Sequence, residues 1–293
     1  MKKALLISII GLIASSCDLI NPDEDPVSYI HIEEIELQVR DNGIEEGQPS
    51  EKIIDVWLNV NNVLVGAYEM PVDIPVLDEG PVDIKIFGGI QVNGLSYERI
   101  RYPFYDFYNT QVELISDGVI EIQPSLNYIE DALVFNNEDF EEIGFQFERS
   151  VTSDTTMDAI PNPDMNDVLR GDKVGVIYLD DERDHFKVNS TLELDLAFKN
   201  LAYIELDYKV EGPFSVGLRR SEPSLLDFSI AGFNPSLDEN GNPIWNKVYV
   251  ELNQAIDILQ NEEEYEIFIE AFNPSDDVRT YYFDNVKVIH PEQ

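Results

Sequence analysis

The sequence contains one cysteine, Cys17, in 293 residues. No disulfide can close within the chain, and a cysteine-ligated metal or a cysteine nucleophile is excluded beyond that position. Positive charge is scarce too: 19 Lys and Arg stand against 58 Asp and Glu, a net charge of −39. Nucleic-acid binding rests on basic side chains that neutralise phosphates. No basic cluster is longer than Arg219-Arg220, so a nucleic-acid partner is excluded, and direct docking on an anionic membrane surface is disfavoured for the same reason. Histidine occurs three times, as His31, His185 and His290. None has a second His or Cys at zinc-ligand spacing. A Gly-x-Ser-x-Gly elbow, a P-loop and a Gly-x-Gly-x-x-Gly turn are all missing, as is any internal repeat long enough for a solenoid or propeller. Spacing leaves open a Ser-His-Asp triad built from distant residues. With so many acids, some carboxylate pair falls at the roughly 5–10 Å that glycoside hydrolysis needs by chance alone. The expectation is therefore a protein without catalytic activity, with a glycoside hydrolase as the alternative enzyme reading.

Long hydrophobic runs are absent as well, apart from Ala4 to Ala14. That run is shorter than the roughly 20 apolar residues that span a bilayer and suits the core of a signal peptide after Lys2 and Lys3. It leads into Ala14-Ser15-Ser16-Cys17, which resembles the lipobox of bacterial lipoproteins. The resemblance implies diacylglycerol on the Cys17 thiol, cleavage before it, and palmitate-type acyl chains that tether the protein to a membrane, each buried CH₂ contributing about 0.8 kcal/mol. Residues 1–16 are then signal peptide, and residues 17–28 form an anchor and acidic tether around Asn21-Pro22-Asp23-Glu24-Asp25-Pro26. A tether of this length reaches at most about 35–40 Å. Acids just after the cysteine also resemble the surface-export signal of Bacteroidota lipoproteins. An enterobacterial reading of Asp18 would instead keep the protein at the inner membrane. The outer, surface-facing location is the favoured expectation.

From residue 29 onward the pattern is period two, as in strands. Residues 29–130 predict a small β-sandwich. Ile53 to Val60 and Val63 to Val65 flank a tight turn at Asn61-Asn62, residues that tolerate positive φ. The order Asn61-Asn62, Val65-Gly66, Ile74-Pro75, Glu79-Gly80 resembles a PEGA-type surface domain, which implies an adhesive or structural role and no catalytic residue. Residues 131–293 predict a second sandwich. Its strand candidates are Ile143 to Phe147, Val174 to Tyr178, Leu192 to Leu196, Tyr203 to Val210, Phe214 to Leu218, Leu226 to Ile230, Val248 to Leu252, Tyr265 to Ala271 and Tyr281 to Ile289. Leu252 to Gln260 is the helical candidate, and Asp238 to Asn242 suits a hairpin turn on Asn240-Gly241 better than a calcium loop. Asn137-Glu138-Asp139-Phe140-Glu141 resembles the first strand, and Tyr281 to Val288 the last, of galactose-binding-like and carbohydrate-binding jelly rolls. The fold class is thus all-β, with two sandwiches of which the second is a jelly roll.

That resemblance implies a structural calcium near the joined terminal strands, with Glu138, Asp139, Glu141 and Asp284 as its oxygen ligands. The favoured alternative is that Asp284-Asn285 simply forms a bulge or turn before the closing strand. Tyr102, Phe104, Tyr105 and Tyr108 form the candidate binding platform, because rings at alternate strand positions share a face on which sugars stack. On that parity Phe104 and Tyr108 share one face, Tyr105 and Phe107 the other. An alternative is that one set is core and the other covers an edge. The expected function is a lipid-anchored protein that binds or scaffolds extracellular material, plausibly polysaccharide. The rival is a structural subunit that contacts other envelope proteins.

Overall fold

The computed structural model describes residues 27–40, 46–130, 133–164, 166–191, 194–196, 201–220, 225–259 and 265–292. Cys17 and most of the tether lie outside the described residues. Strand alternation builds a first lobe from β1 (Ser28–Ile32), β2 (Glu36–Leu37), β3 (Asp55–Val60), β4 (Val63–Glu69), β5 (Val72–Val76), β6 (Gly80–Gln91), β7 (Arg99–Arg101), β8 (Phe107–Leu114), β9 (Val119–Glu121) and β10 (Ser125–Leu126). The largest sheet runs β4-β3-β6-β7, with β8 also on β6; β5-β1-β9 form a second sheet and β10-β2 a short third. One core joins them, holding Val56, Leu58 and Val60 of β3, Ile84 and Ile86 of β6, Ile30 and Ile32 of β1, and Ile74 of β5. The β3–β4 turn falls at Asn61-Asn62 as the sequence predicts. Both residues take positive φ, 50° and 65°, and Val60 pairs with Val63 across the turn. Asparagine reaches this backbone region at less cost than most side chains.

The second lobe comprises β11 (Leu133–Glu138), β12 (Phe147–Arg149), β13 (Asp158–Pro161), β14 (Lys173–Leu179), β15 (His185–Ser190), β16 (Tyr203–Val210), β17 (Phe214–Arg220), β18 (Leu226–Phe233), β19 (Asn246–Glu251), α1 (Asn253–Leu259), β20 (Tyr265–Phe272) and β21 (Arg279–Pro291). Two sheets face each other, β13-β14-β21-β16-β19 with β11 on β21, and β12-β15-β20-β17-β18. Ile204, Leu206 and Phe283 of the first meet Phe186, Val216 and Ile269 of the second in a common core. Among the described residues the protein is therefore all-β in the sandwich manner expected, with one short α-helix that buries Ala255, Ile256 and Leu259. First strand and last strand do join: Leu133 pairs with Pro291 and Glu138 with Val286.

Two local departures have physical causes. Ile143 to Phe147 is not a strand. Gly144 takes φ 89°, and the Glu138 carboxylate accepts from the backbone N–H groups of Phe140 and Gln146, which folds the segment into a loop. Strand β15 escapes the sequence pattern because polar Lys187, Asn189 and Ser190 are buried along with Phe186 and Val188. Leu192 to Leu196 falls partly outside the described residues; Leu194 bridges Tyr265. Asp284-Asn285 forms a bulge: Glu205 pairs with Lys287, but Asp207 pairs with Asp284, and Asn285 takes φ 47°.

Candidate functional site

The predicted platform residues are placed elsewhere than on a solvent face. Strand β7 ends at Arg101, and the chain turns before β8 begins at Phe107. That interruption breaks the alternation on which the predicted ring faces depend. Tyr102, Phe104 and Tyr105 are buried and form a wedge of rings between the lobes. Tyr102 lies 4.6 Å from Tyr105, 5.3 Å from Tyr203 and 4.9 Å from Tyr249, centroid to centroid. Tyr108 is half-buried against the first core. None of these four offers the open ring face that the platform reading requires.

The wedge covers the outer face of β16, β19 and β21. Strand β16 alternates cleanly: Ile204, Leu206 and Tyr208 enter the second core, while Glu205 and Asp207 point the other way and are fully buried beneath the first lobe. Their partners come from both lobes. Tyr102 and Tyr128 donate to Glu205 at 2.9 Å and 3.0 Å. Lys247 Nζ lies 3.0 Å from Glu205 and 3.7 Å from Asp207. Ser50 and Asn285 donate to Asp207, with Arg170 3.6 Å away. Lys287 donates to Tyr128 at 3.0 Å. Burial in low dielectric, then the Glu205 charge, pushes the phenols of Tyr102, Tyr105 and Tyr128 well up. Burial pulls Lys287 down to about 8. Lys247 stays above its ordinary value because Glu205 and Asp207 outweigh its desolvation. Such a network stabilises only when every charge is compensated, and it locks lobe to lobe.

The four candidate calcium ligands do not form one site. Glu138 is engaged by backbone N–H groups, as above. Glu141 accepts from the backbone of Asp172 and Lys173 at 2.7 Å and 3.0 Å. Asp139 accepts from the backbone of Glu141 at 3.2 Å. Asp284, pushed up to about 9 by burial, retains one oxygen without a hydrogen-bond partner. Among the described residues no three His, Cys, Asp or Glu side chains are placed to hold a metal ion. Asp207 and Asp284 face each other in register, but both are buried, so they offer no open carboxylate pair to a glycosidic bond.

An exposed site emerges on the outer face of the first lobe's large sheet. Val56, Leu58 and Val60 of β3 point inward, which turns Trp57 and Asn59 outward. Register then sets Trp57 beside Phe87 of β6 and Phe87 beside Phe107 of β8. Three aromatic rings thus form one row across three strands spaced about 4.8 Å apart. The Phe87 and Phe107 centroids are 5.4 Å apart. The Arg101 guanidinium lies 4.2 Å from the Phe87 centroid and 4.9 Å from that of Trp57. Lys85 Nζ is 5.4 Å from the Phe107 centroid. Asn59, Asn109 and Gln111 flank the row. Gly89 lets the indole lie down: a Cβ there would sit 2.9 Å from Trp57 Nε1. Trp57 Nε1, Asn59 Oδ1 and Arg101 Nε have no hydrogen-bond partner among the described residues. The sequence does carry a signal for this site, a tryptophan on the polar side of an amphipathic strand. The denser aromatic run from Tyr97 to Tyr108 obscures it.

No protein-family model matches the chain, and no curated protein matches it in sequence. Among solved structures, similar chains include one described as the structural basis for promiscuous specificity of carbohydrate-binding modules from the β-sandwich superfamily. It is 9% identical, with 90% of this chain and 98% of that chain covered and a TM-score of 0.37. A family 29 carbohydrate-binding module is 10% identical over 54% of this chain and 88% of that chain, TM-score 0.34. TmCBM61 in complex with β-1,4-galactotriose is 9% identical over 50% and 88%, TM-score 0.31. Identities and scores this low say nothing of this chain's ligand.

Proposed function

We propose that the protein is a non-catalytic glycan-binding protein, held at the bacterial outer membrane by acyl chains on Cys17 and facing outward, with the Trp57–Phe87–Phe107 row as its binding surface. The carrying observation is that row: three rings in register on the outer face of the sheet, Phe107 exposed and Trp57 and Phe87 partly so, flanked by amide side chains that donate and accept hydrogen bonds. Pyranose rings present C–H faces that stack on aromatic faces, and their hydroxyls match amides and guanidinium edges. A row on the outer face of a sheet favours an extended polymer over a small molecule, which would need enclosure. The anchor rests on the sequence alone. The network between the lobes suits the same role, since a rigid two-lobe body presents its sheet at a fixed orientation above a tether.

Electrophoresis of the detergent-solubilised full chain through gels that contain soluble polysaccharides tests this reading. At least one polysaccharide should retard the protein, and Phe107→Ala should release it without loss of fold. If no polysaccharide in a broad panel retards it, the reading is wrong. Labelled palmitate should enter the wild-type chain and not Cys17→Ser; label in both would remove the anchor.

A further inference from the structure

In a chain of net charge −39, two cations on one sheet face without an acid between them call for a cause. Arg99, two residues before Arg101, shows the ordinary arrangement: it pairs with Asp55 at 2.9 Å and Glu69 at 3.0 Å. Arg101 has no carboxylate within ion-pair distance among the described residues. Lys85 likewise has none; its ammonium donates to Asn62 Oδ1 at 2.7 Å. Both cations lie over the aromatic row instead. Contact with two rings seats the Arg101 guanidinium on the row, its buried Nε without a partner, and an acceptor that lies along the row meets its N–H fork. A carboxylate fills such a fork with two parallel bonds, each roughly twice as strong as a neutral one. A hydroxyl fills it with one.

We propose that the row takes acidic saccharides, those that carry hexuronate carboxylates, in preference to neutral ones, with one carboxylate on Arg101 and the next along the polymer near Lys85. This rests on the glycan reading above and narrows it. The chain's overall negative charge does not prevent it, because charges beyond the Debye length of about 8 Å are screened at physiological salt. Nearby, Arg99 offsets one of the two charges of Asp55 and Glu69, and Asp83 accepts from Gln111 at 2.7 Å. On the row itself the charged side chains over the rings are Arg101 and Lys85.

Calorimetric titration of the solubilised full chain with oligomers of homogalacturonan, alginate and hyaluronan, each beside its carboxyl-reduced neutral counterpart, tests the inference. At least one acidic oligomer should bind tenfold or more tightly than its reduced form. Arg101→Gln should abolish that preference, with a larger loss of affinity for the acidic form than for the neutral one. Arg101→Lys should lose most of it, because the charge remains and the fork does not, and Lys85→Gln should weaken only the acidic form, by a few fold. Equal affinity for acidic and reduced forms would overturn the charge selection and leave the glycan reading standing. If no oligomer of either kind binds, the acidic-saccharide proposal falls, while the glycan reading stands or falls with the gel panel.

Discussion

The phenol of Tyr102 donates to Glu205 at 2.9 Å across the boundary between the lobes. Glu205 is also the nearest counter-ion of Lys247, so this one carboxylate holds a first-lobe hydroxyl and a second-lobe ammonium together. Removing one member of a buried ion pair costs roughly 3–5 kcal/mol, and removing a hydrogen bond to a charged group about 1.5–3 kcal/mol. Glu205→Gln should therefore destabilise more than Tyr102→Phe in urea unfolding. The reverse order would mean that Lys247 finds compensation elsewhere.

The same contacts bear on separability. Two sandwiches without a disulfide predict that pieces on either side of residues 129–133 each fold. The second piece alone would expose Tyr203, Tyr249 and Ile289, which share the first lobe's core, together with Glu205, Asp207, Lys247 and Lys287. The two pieces, expressed separately and mixed, should recombine one to one in analytical ultracentrifugation. Stable pieces that ignore each other would show that the interface contributes little.

Asp284 gives the stability a pH dependence. Its folded value is near 9 against an ordinary 3.8, raised first by burial and then by Asp207. Stability from this group is complete below about pH 4 and is lost as pH rises toward 9, because the unfolded chain ionises there and the folded one does not. Asp284→Asn keeps the shape and the acceptor for the Asn285 backbone N–H, and it removes the ionisation. The variant should match wild type near pH 3.5 and exceed it by roughly 1–4 kcal/mol at pH 7, where one pKa unit corresponds to about 1.4 kcal/mol. A constant difference across that range would mean that Asp284 is not the titrating group.

Gly89 links the strip to the sheet beneath it. A methyl there would approach Asp55 Cβ to 2.8 Å and the indole nitrogen of Trp57 to 2.9 Å. Gly89→Ala should tilt the indole out of the row. Overpacking of this kind costs typically 1–3 kcal/mol, and polysaccharide retardation in gels should fall with it. Unchanged retardation would place the binding surface elsewhere.

Much of the fold is legible in the sequence because period two is set by one-sided burial. Tyr203 to Val210 coincides with a strand for that reason. The same pattern cannot say what covers the polar side. Glu205 and Asp207 lie on the polar side of that strand, yet they are fully buried under another lobe, since alternation records a difference between faces and not what lies beyond each. Tyr102 to Tyr105 misled for a related reason: aromatic density marks a surface or a seam equally well, and only the break between Arg101 and Phe107 decides. Glu138 and Glu141 are acids by composition, but their oxygens are engaged by backbone N–H groups whose positions depend on a loop that no spacing rule describes.

The central claim is that the Trp57–Phe87–Phe107 row touches glycan. Only two tryptophans exist, Trp57 and Trp245, so Trp245→Phe leaves Trp57 as the sole indole reporter. Titration of that variant with a polysaccharide that retards the wild-type chain should shift the Trp57 emission in a saturable way. Phe107→Ala in the same background should abolish the shift. An emission that stays constant while the polysaccharide binds would contradict the account and move the binding surface away from this sheet.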